Sequence, residues 1–248
     1  MKGSKAMMFK QIVGKVAKSV VTLSLVAPLL AHANAGAIHL DKAPVNQTDY
    51  ASLQRGARTF VNNCLSCHSA TSMRYNRLQD IGLSEQQIKD NLLLAGEKVG
   101  DTMSVAMTRK DAAKWLGKAP PDLSVTARAW GADWLYTYLR TFYRDDTRPT
   151  GWNNVVFDKV GMPHVLTEYQ GEQVLDHKTG KLSLAKPGTM NAKEYDAMVG
   201  DLVNYMVFMG EPANVKRQQL GYIVILFLSL ILLPLAYLLK KEYWKDVH

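Results

Sequence analysis

Residues 220–239 read LGYIVILFLSLILLPLAYLL, an apolar run without a single charge. As a helix it reaches about 30 Å, the thickness of one bilayer core. Lys216 and Arg217 stand before it, and Lys240, Lys241, Tyr243, Trp244 and Lys245 follow it, as interfacial anchors do. A shorter apolar stretch, 19–30, follows the basic start Lys2, Lys5, Lys10, Lys15 and Lys18 and precedes Ala31-His32-Ala33-Asn34-Ala35. A charged start, a short apolar middle and an A-x-A exit describe a signal peptide over 1–33, cut near 33–35. Its apolar middle reaches only about 18 Å as a helix, too short to span the membrane.

The segment between, 34–215, is mostly helical by its periodicity. Thr48 is placed to cap a helix over 48–63, with Tyr50, Leu53, Ala57, Phe60 and Val61 on one face. Ser84 with Gln87 forms a capping box for 84–94, and Thr108 with Asp111 caps a helix ending near Gly117. Residues 122–143 read as one or two helices interrupted at Gly131. Asn191 with Glu194 opens a helix through Met209 that Gly210 and Pro212 close. One β-hairpin is expected, EQVLD and KLSLA joined across His177-Lys178-Thr179-Gly180. There is no internal repeat and no low-complexity segment. The fold class is therefore mostly α, with a small β-hairpin and a single C-terminal transmembrane helix.

Charge alters this picture little. Loss of 1–33 removes five lysines and takes the formal charge from +8 to +3, so the basicity belongs largely to the export signal. No lysine- or arginine-dense patch with interleaved aromatics remains, which gives nucleic-acid binding no support. Export of the N-terminal domain puts 34–215 in the periplasm, 216–239 in the inner membrane and the basic tail 240–248 in the cytoplasm.

The chemistry lies in the two cysteines, Cys64 and Cys67. A disulfide between them would constrain little of the chain. With His68 they make C-x-x-C-H, the attachment signature of c-type haem. Positions i, i+3 and i+4 share one face of a helical turn, so two thiols can meet the haem vinyl groups while the imidazole reaches the iron. A thioredoxin-like pair would want a βαβ setting, and a structural zinc would want further cysteines; neither is present. Export also delivers the chain to the compartment where such haem is attached. The 34–215 segment is thus expected to be a cytochrome c-type domain with one covalent haem c.

The second axial ligand is less determined. Met198, Met206 and Met209 fall on an apolar helix face, and Met73 is too close to His68 to reach the opposite haem face. Met103, Met107, Met162 and Met190 remain, and Met162 sits in a Gly-Met-Pro loop. His164, two residues on, supplies a bis-histidine alternative. A methionine ligand would raise the iron potential.

The sequence resembles cytochrome c1, the haem subunit of the respiratory quinol:cytochrome c oxidoreductase, from about His39 to its end. The resemblance rests on an ordered set: Cys64, Cys67 and His68, then Tyr75-Asn76-Arg77-Leu78, Pro120-Pro121-Asp122-Leu123-Ser124, Ala127-Arg128, Met162 and the C-terminal anchor. It implies thioethers at Cys64 and Cys67, axial ligation by His68 and Met162, Pro121 along the haem edge, Arg128 at a propionate and Trp134 as a pocket aromatic. It further implies a cytochrome b subunit, a Rieske iron–sulfur protein as electron donor, a cytochrome c as acceptor, and a dimeric complex. The polypeptide breaks no substrate bond; the assembled complex is the enzyme. Where the family's mitochondrial members dock a basic cytochrome c on acidic surface, the mature chain here is slightly basic and has no acidic run. Two other readings stand beside this one: an anchored monohaem carrier serving a terminal oxidase, and a haem enzyme or gas sensor with an open iron position.

Overall fold

Helix α1, Tyr50–Asn63, begins where the Asp49 side chain accepts from the Ser52 amide, so its cap is Asp49 and not Thr48. Thr48 instead donates its hydroxyl to Asn46 Oδ1 over 2.7 Å. The computed structural model describes residues 39–246; the signal segment 1–33 lies outside the described residues. Leu53, Ala57, Phe60 and Val61 turn into the core as their spacing requires, whereas Tyr50 in the first turn stays 53% exposed.

The 3₁₀ helix Tyr75–Ile81 and helix α2, Glu85–Asn91, follow. The Ser84–Gln87 capping box forms in full, and α2 stops three residues short of the expected end, at the Leu92 cap. Helix α3, Arg109–Leu116, takes its cap from Thr108 and ends at Gly117. The interruption expected at Gly131 is real. This glycine sits at φ 89°, a conformation side chains resist, and separates α4, Thr126–Trp130, from α5, Ala132–Arg140. Helix α6 is the single turn Thr167–Gln170; α7, Ala192–Gly210, opens with the Asn191–Glu194 capping box.

Three antiparallel pairs complete the domain. They are β1, Ala70–Arg74, with β2, Thr102–Met103; β3, Phe142–Arg144, with β4, Trp152–Asn154; and β5, Gly171–Asp176, with β6, Lys181–Pro187. The last is the expected hairpin, with Asp176 opposite Lys181 and a bulge at Glu172/Gln173.

The core forms where α1 lies along α7. Phe60 and Tyr205 face each other with ring centroids 5.6 Å apart, among Leu53, Val199, Leu202 and Val203, each fully buried. Each such side chain contributes about 1.5–3 kcal/mol by leaving water. The helices meet closely at Gly56, where any Cβ would overlap the Asp201 carbonyl. Buried Asn204 is satisfied there: it donates to the Asn46 carbonyl (2.8 Å) and Ser52 Oγ (3.0 Å) and accepts from the Asn46 amide (3.0 Å). Arg140 ties α5 to α7 and to the segment before α1 through a two-pronged pair with Asp196 and a 2.7 Å contact with Asp41.

Helix α8, Asn214–Tyr243, runs for 30 residues and contains the apolar run 220–239. Its most apolar part is wholly exposed, and it is long and apolar enough to cross a membrane. Pro234 lies inside it, as spanning helices tolerate.

Candidate haem site

The attachment motif continues α1 by one more turn. Cys64 caps the helix with its amide on the Phe60 carbonyl (2.9 Å), and the Cys67 and His68 amides both return to the Cys64 carbonyl (3.1 and 2.9 Å). Leu65 is driven into the core, 2% exposed, which fixes the turn; Cys64 packs half-buried against that core, and Cys67 and His68 stay partly exposed. The two cysteines are unbridged. Burial, with the neighbouring Cys67 adding to it, pushes the Cys64 thiol up to about 12, opposite to the lowered pKa of a reactive thiol. No group of three or more His, Cys, Asp or Glu gathers to hold a metal ion among the described residues.

His68 carries the informative geometry. Its Nδ1 lies 2.8 Å from the Pro121 carbonyl oxygen. A carbonyl can only accept, so Nδ1 carries the proton and Nε2 is left as a bare lone pair. Desolvation lowers the His68 pKa, against the opposing pull of the Pro121 carbonyl and Asp122, and favours the neutral imidazole that a metal ligand needs. Free thiols at i and i+3 and an oriented, neutral imidazole at i+4 fit a covalently held haem.

A latch that sequence reasoning did not isolate holds this arrangement. Asp122 Oδ2 accepts from the Thr71 amide (2.9 Å) and hydroxyl (2.8 Å), and Oδ1 accepts from the Ser124 amide (2.8 Å). Ser124 Oγ takes the Ser72 amide (3.0 Å), and the Leu123 amide reaches the Ser69 carbonyl (2.8 Å). Burial pushes the Asp122 carboxyl up, but the donors from Ser124 and Thr71 outweigh it and hold it below the ordinary range. The Pro-Pro-Asp-Leu-Ser string is thereby laced to 69–72, directly after the motif. Its only readable signal was an Asp two residues before a Ser, the pattern of a local turn. A cavity of about 240 Å³ opens alongside, lined by Cys67, Met107, Arg109, Ala119 and Pro120 among others.

The remaining candidates separate clearly. Met103 is fully buried opposite Ala70, with its sulfur accepting from Tyr205 Oη over 3.6 Å, and Met190 packs half-buried against the same core. Met107 borders the cavity with Cys67. Met162 lies in a different cluster, beside Phe142, Trp152 and Val160, and accepts from the Tyr138 hydroxyl at 3.5 Å. Trp134 stacks between Trp130 (4.7 Å) and Tyr138 (4.9 Å), in a column that leads to Met162. His164 is 3% exposed, flat against Phe142 at 5.0 Å, with no partner for Nε2. Desolvation lowers its pKa to about 4. The structure thus joins Cys64, Cys67, His68 and Pro121 in one unit. Arg128 is exposed and lies over Gly210 at the end of α7, close enough to Glu211 to help depress that carboxyl after the stronger Arg217 contact.

Comparison with known proteins settles the family. Residues 40–247 match the profile of the Cytochrome C1 family. The chain belongs to the cytochrome c1 family. Cytochrome c1 of Allochromatium vinosum is 48% identical over 238 residues, covering 92% of this chain and 97% of that one. Cytochrome c1 of Rhodospirillum rubrum is 29% identical over 255 residues, 88% of this chain and 92% of that one. A Nitrosomonas europaea protein named ammonia monooxygenase gamma subunit is 55% identical over 234 residues, 94% of this chain and all of that one. As a cytochrome c1, the chain is a membrane-anchored electron-transfer subunit of complex III that carries one covalent haem c and partners a cytochrome b and a Rieske protein. Helix α8 supplies an apolar span of the length such an anchor needs.

Proposed function

We propose that Cys64 and Cys67 hold the haem by thioethers, with His68 Nε2 and Met162 Sδ as its axial ligands, Pro121 along its edge and Arg128 at a propionate. The observation that carries this reading is the 2.8 Å contact between His68 Nδ1 and the Pro121 carbonyl, which leaves Nε2 bare beside two unbridged thiols. When bound, the haem supplies a reversible one-electron couple. The polypeptide fixes the imidazole tautomer through Pro121, holds the 120–124 loop through Asp122, and aims a hydroxyl at the Met162 sulfur through Tyr138. The electron enters from the Rieske protein and leaves to a cytochrome c, within a dimeric complex. Residues 34–215 form the periplasmic domain, 216–239 the anchor and 240–248 a cytoplasmic tail, after removal of 1–33.

Denaturing electrophoresis with haem staining tests attachment: the wild-type band keeps its colour and Cys67→Ser loses most of it. Haem that washes out of the wild type under denaturation refutes the thioethers. The 55% identity to a protein named for ammonia monooxygenase favours one second reading, a haem companion of an oxygenase. Co-purification in mild detergent separates the two, since the first predicts a cytochrome b and a Rieske protein travelling with the chain and the second predicts oxygenase subunits.

A further inference from the structure

Between residues 109 and 118 the chain carries Arg109, Lys110, Lys114 and Lys118 against a single acid, Asp111. That acid is occupied at the α3 cap, where it takes the Thr108 hydroxyl at 2.6 Å. Among the described residues none of the four cations has a carboxylate within ion-pair distance, whereas Arg55, Lys89, Arg140 and Arg217 each have one. All four are exposed, and between them Trp115 and Leu116 are 66% and 51% exposed. The inner side of the same segment lines the cavity beside Cys67 through Arg109, Ala112 and Ala119. An unneutralised basic rim with an apolar centre therefore borders the attachment turn, which corrects the expectation that no basic patch with an interleaved aromatic remains beyond the signal segment.

We propose that this rim, residues 109–118, is the landing site of an acidic electron-transfer protein that collects electrons beside Cys67. The inference rests on the electron-carrier reading above and adds the sign of the partner's docking face. Unpaired cations attract an anionic partner over distances of about 10 Å at 0.1 M salt and raise its encounter rate. Trp115 and Leu116 provide apolar contact at the centre, where a transient complex gains its short-range attraction. A basic carrier would be repelled at this face. An anionic lipid surface shares the chemistry of basic residues with an exposed tryptophan, but lipid seated on this rim would close the cavity edge at Cys67 to any acceptor.

The test uses the whole membrane complex in mild detergent, with an acidic and a basic small monohaem cytochrome c as probes. Binding is read by surface plasmon resonance and electron delivery by the second-order rate, each across ionic strength. The wild type should bind the acidic probe more tightly, with a rate that falls as salt rises. Lys110→Glu combined with Lys114→Glu should weaken binding and slow delivery about tenfold at low salt. The variant's haem spectrum and the reduction of its haem by quinol should stay unchanged; a wild-type haem that quinol does not reduce would instead fault the carrier reading. Equal binding of the acidic probe by variant and wild type overturns the proposal, as does tighter wild-type binding of the basic probe. If the variant loses binding to phosphatidylglycerol vesicles while acidic-probe kinetics persist, the rim belongs to lipid and the proposal also falls.

Discussion

The Tyr138 hydroxyl donates to the Met162 thioether across 3.5 Å. A donor on a ligand sulfur draws electron density from it and favours the reduced metal. Tyr138→Phe should therefore lower the midpoint potential by on the order of tens of millivolts, while Met162→Leu should lower it much further and open the iron to carbon monoxide. Redox titration and carbon monoxide difference spectra check both. Met103→Leu and His164→Leu should keep the low-spin spectrum. If Met107→Leu loses it and Met162→Leu does not, the ligand is the methionine beside Cys67.

Asp122 should limit acid stability. Its folded pKa lies below the ordinary carboxylate range, so its contribution is full above about pH 4 and is lost as pH falls through the folded value. Asp122→Asn should destabilise the domain by about 1–3 kcal/mol at neutral pH, because an amide nitrogen would face the Thr71 or Ser124 donors. Denaturant unfolding between pH 5 and pH 2 should also show a shallower pH slope in the variant than in the wild type.

Gly56 should tolerate no side chain. A Cβ there overlaps the Asp201 carbonyl, so Gly56→Ala must push α1 from α7 and should cost about 1–3 kcal/mol or more. Thermal unfolding should show a lower Tm. An unchanged Tm would mean that the helices separate freely at this point.

These positions mark how far the sequence could be read. Caps built from neighbours three residues apart, Ser84 with Gln87, Thr108 with Asp111 and Asn191 with Glu194, are local and were legible. So was the hairpin of β5 and β6, whose strands adjoin one turn. The pairs β1–β2 and β3–β4 were not, because β2, β3 and β4 have only two or three residues, too few to show a period. The expected helix over 122–143 begins only at Thr126, since 122–124 are taken up by the latch, and it ends before Phe142, which pairs with Asn154. The Asp122 latch depends on Thr71, 51 positions away, and no local pattern announces that bond. The C-x-x-C-H turn was legible because attachment chemistry fixes its spacing. The Arg128 contact with Gly210 is tertiary and was not.

The anchor should be separable from the haem domain. A chain ending at Val215 keeps Asn214, whose amide donates to Gln47 at 3.0 Å, and loses no buried side chain of α8. It should acquire haem, remain soluble and show near-native redox behaviour, while failing to co-purify with a cytochrome b. An unfolded or haem-free product would place 216–239 in the domain's own core. Full retention in the membrane complex would remove the anchor's role.

Only Glu211, Pro212 and Ala213 intervene between the last residue of α7 and the first of α8. Even fully stretched, that step covers no more than about 14 Å, and it is not stretched: Arg217 grips Glu211 at 2.6 Å and the Asn214 amide returns to the Glu211 carbonyl at 3.1 Å. A tether this short leaves no swinging arm. With α8 fixed in the bilayer, the haem domain stands at a constant height above it, and any travel needed to fetch or deliver an electron falls to its redox partners.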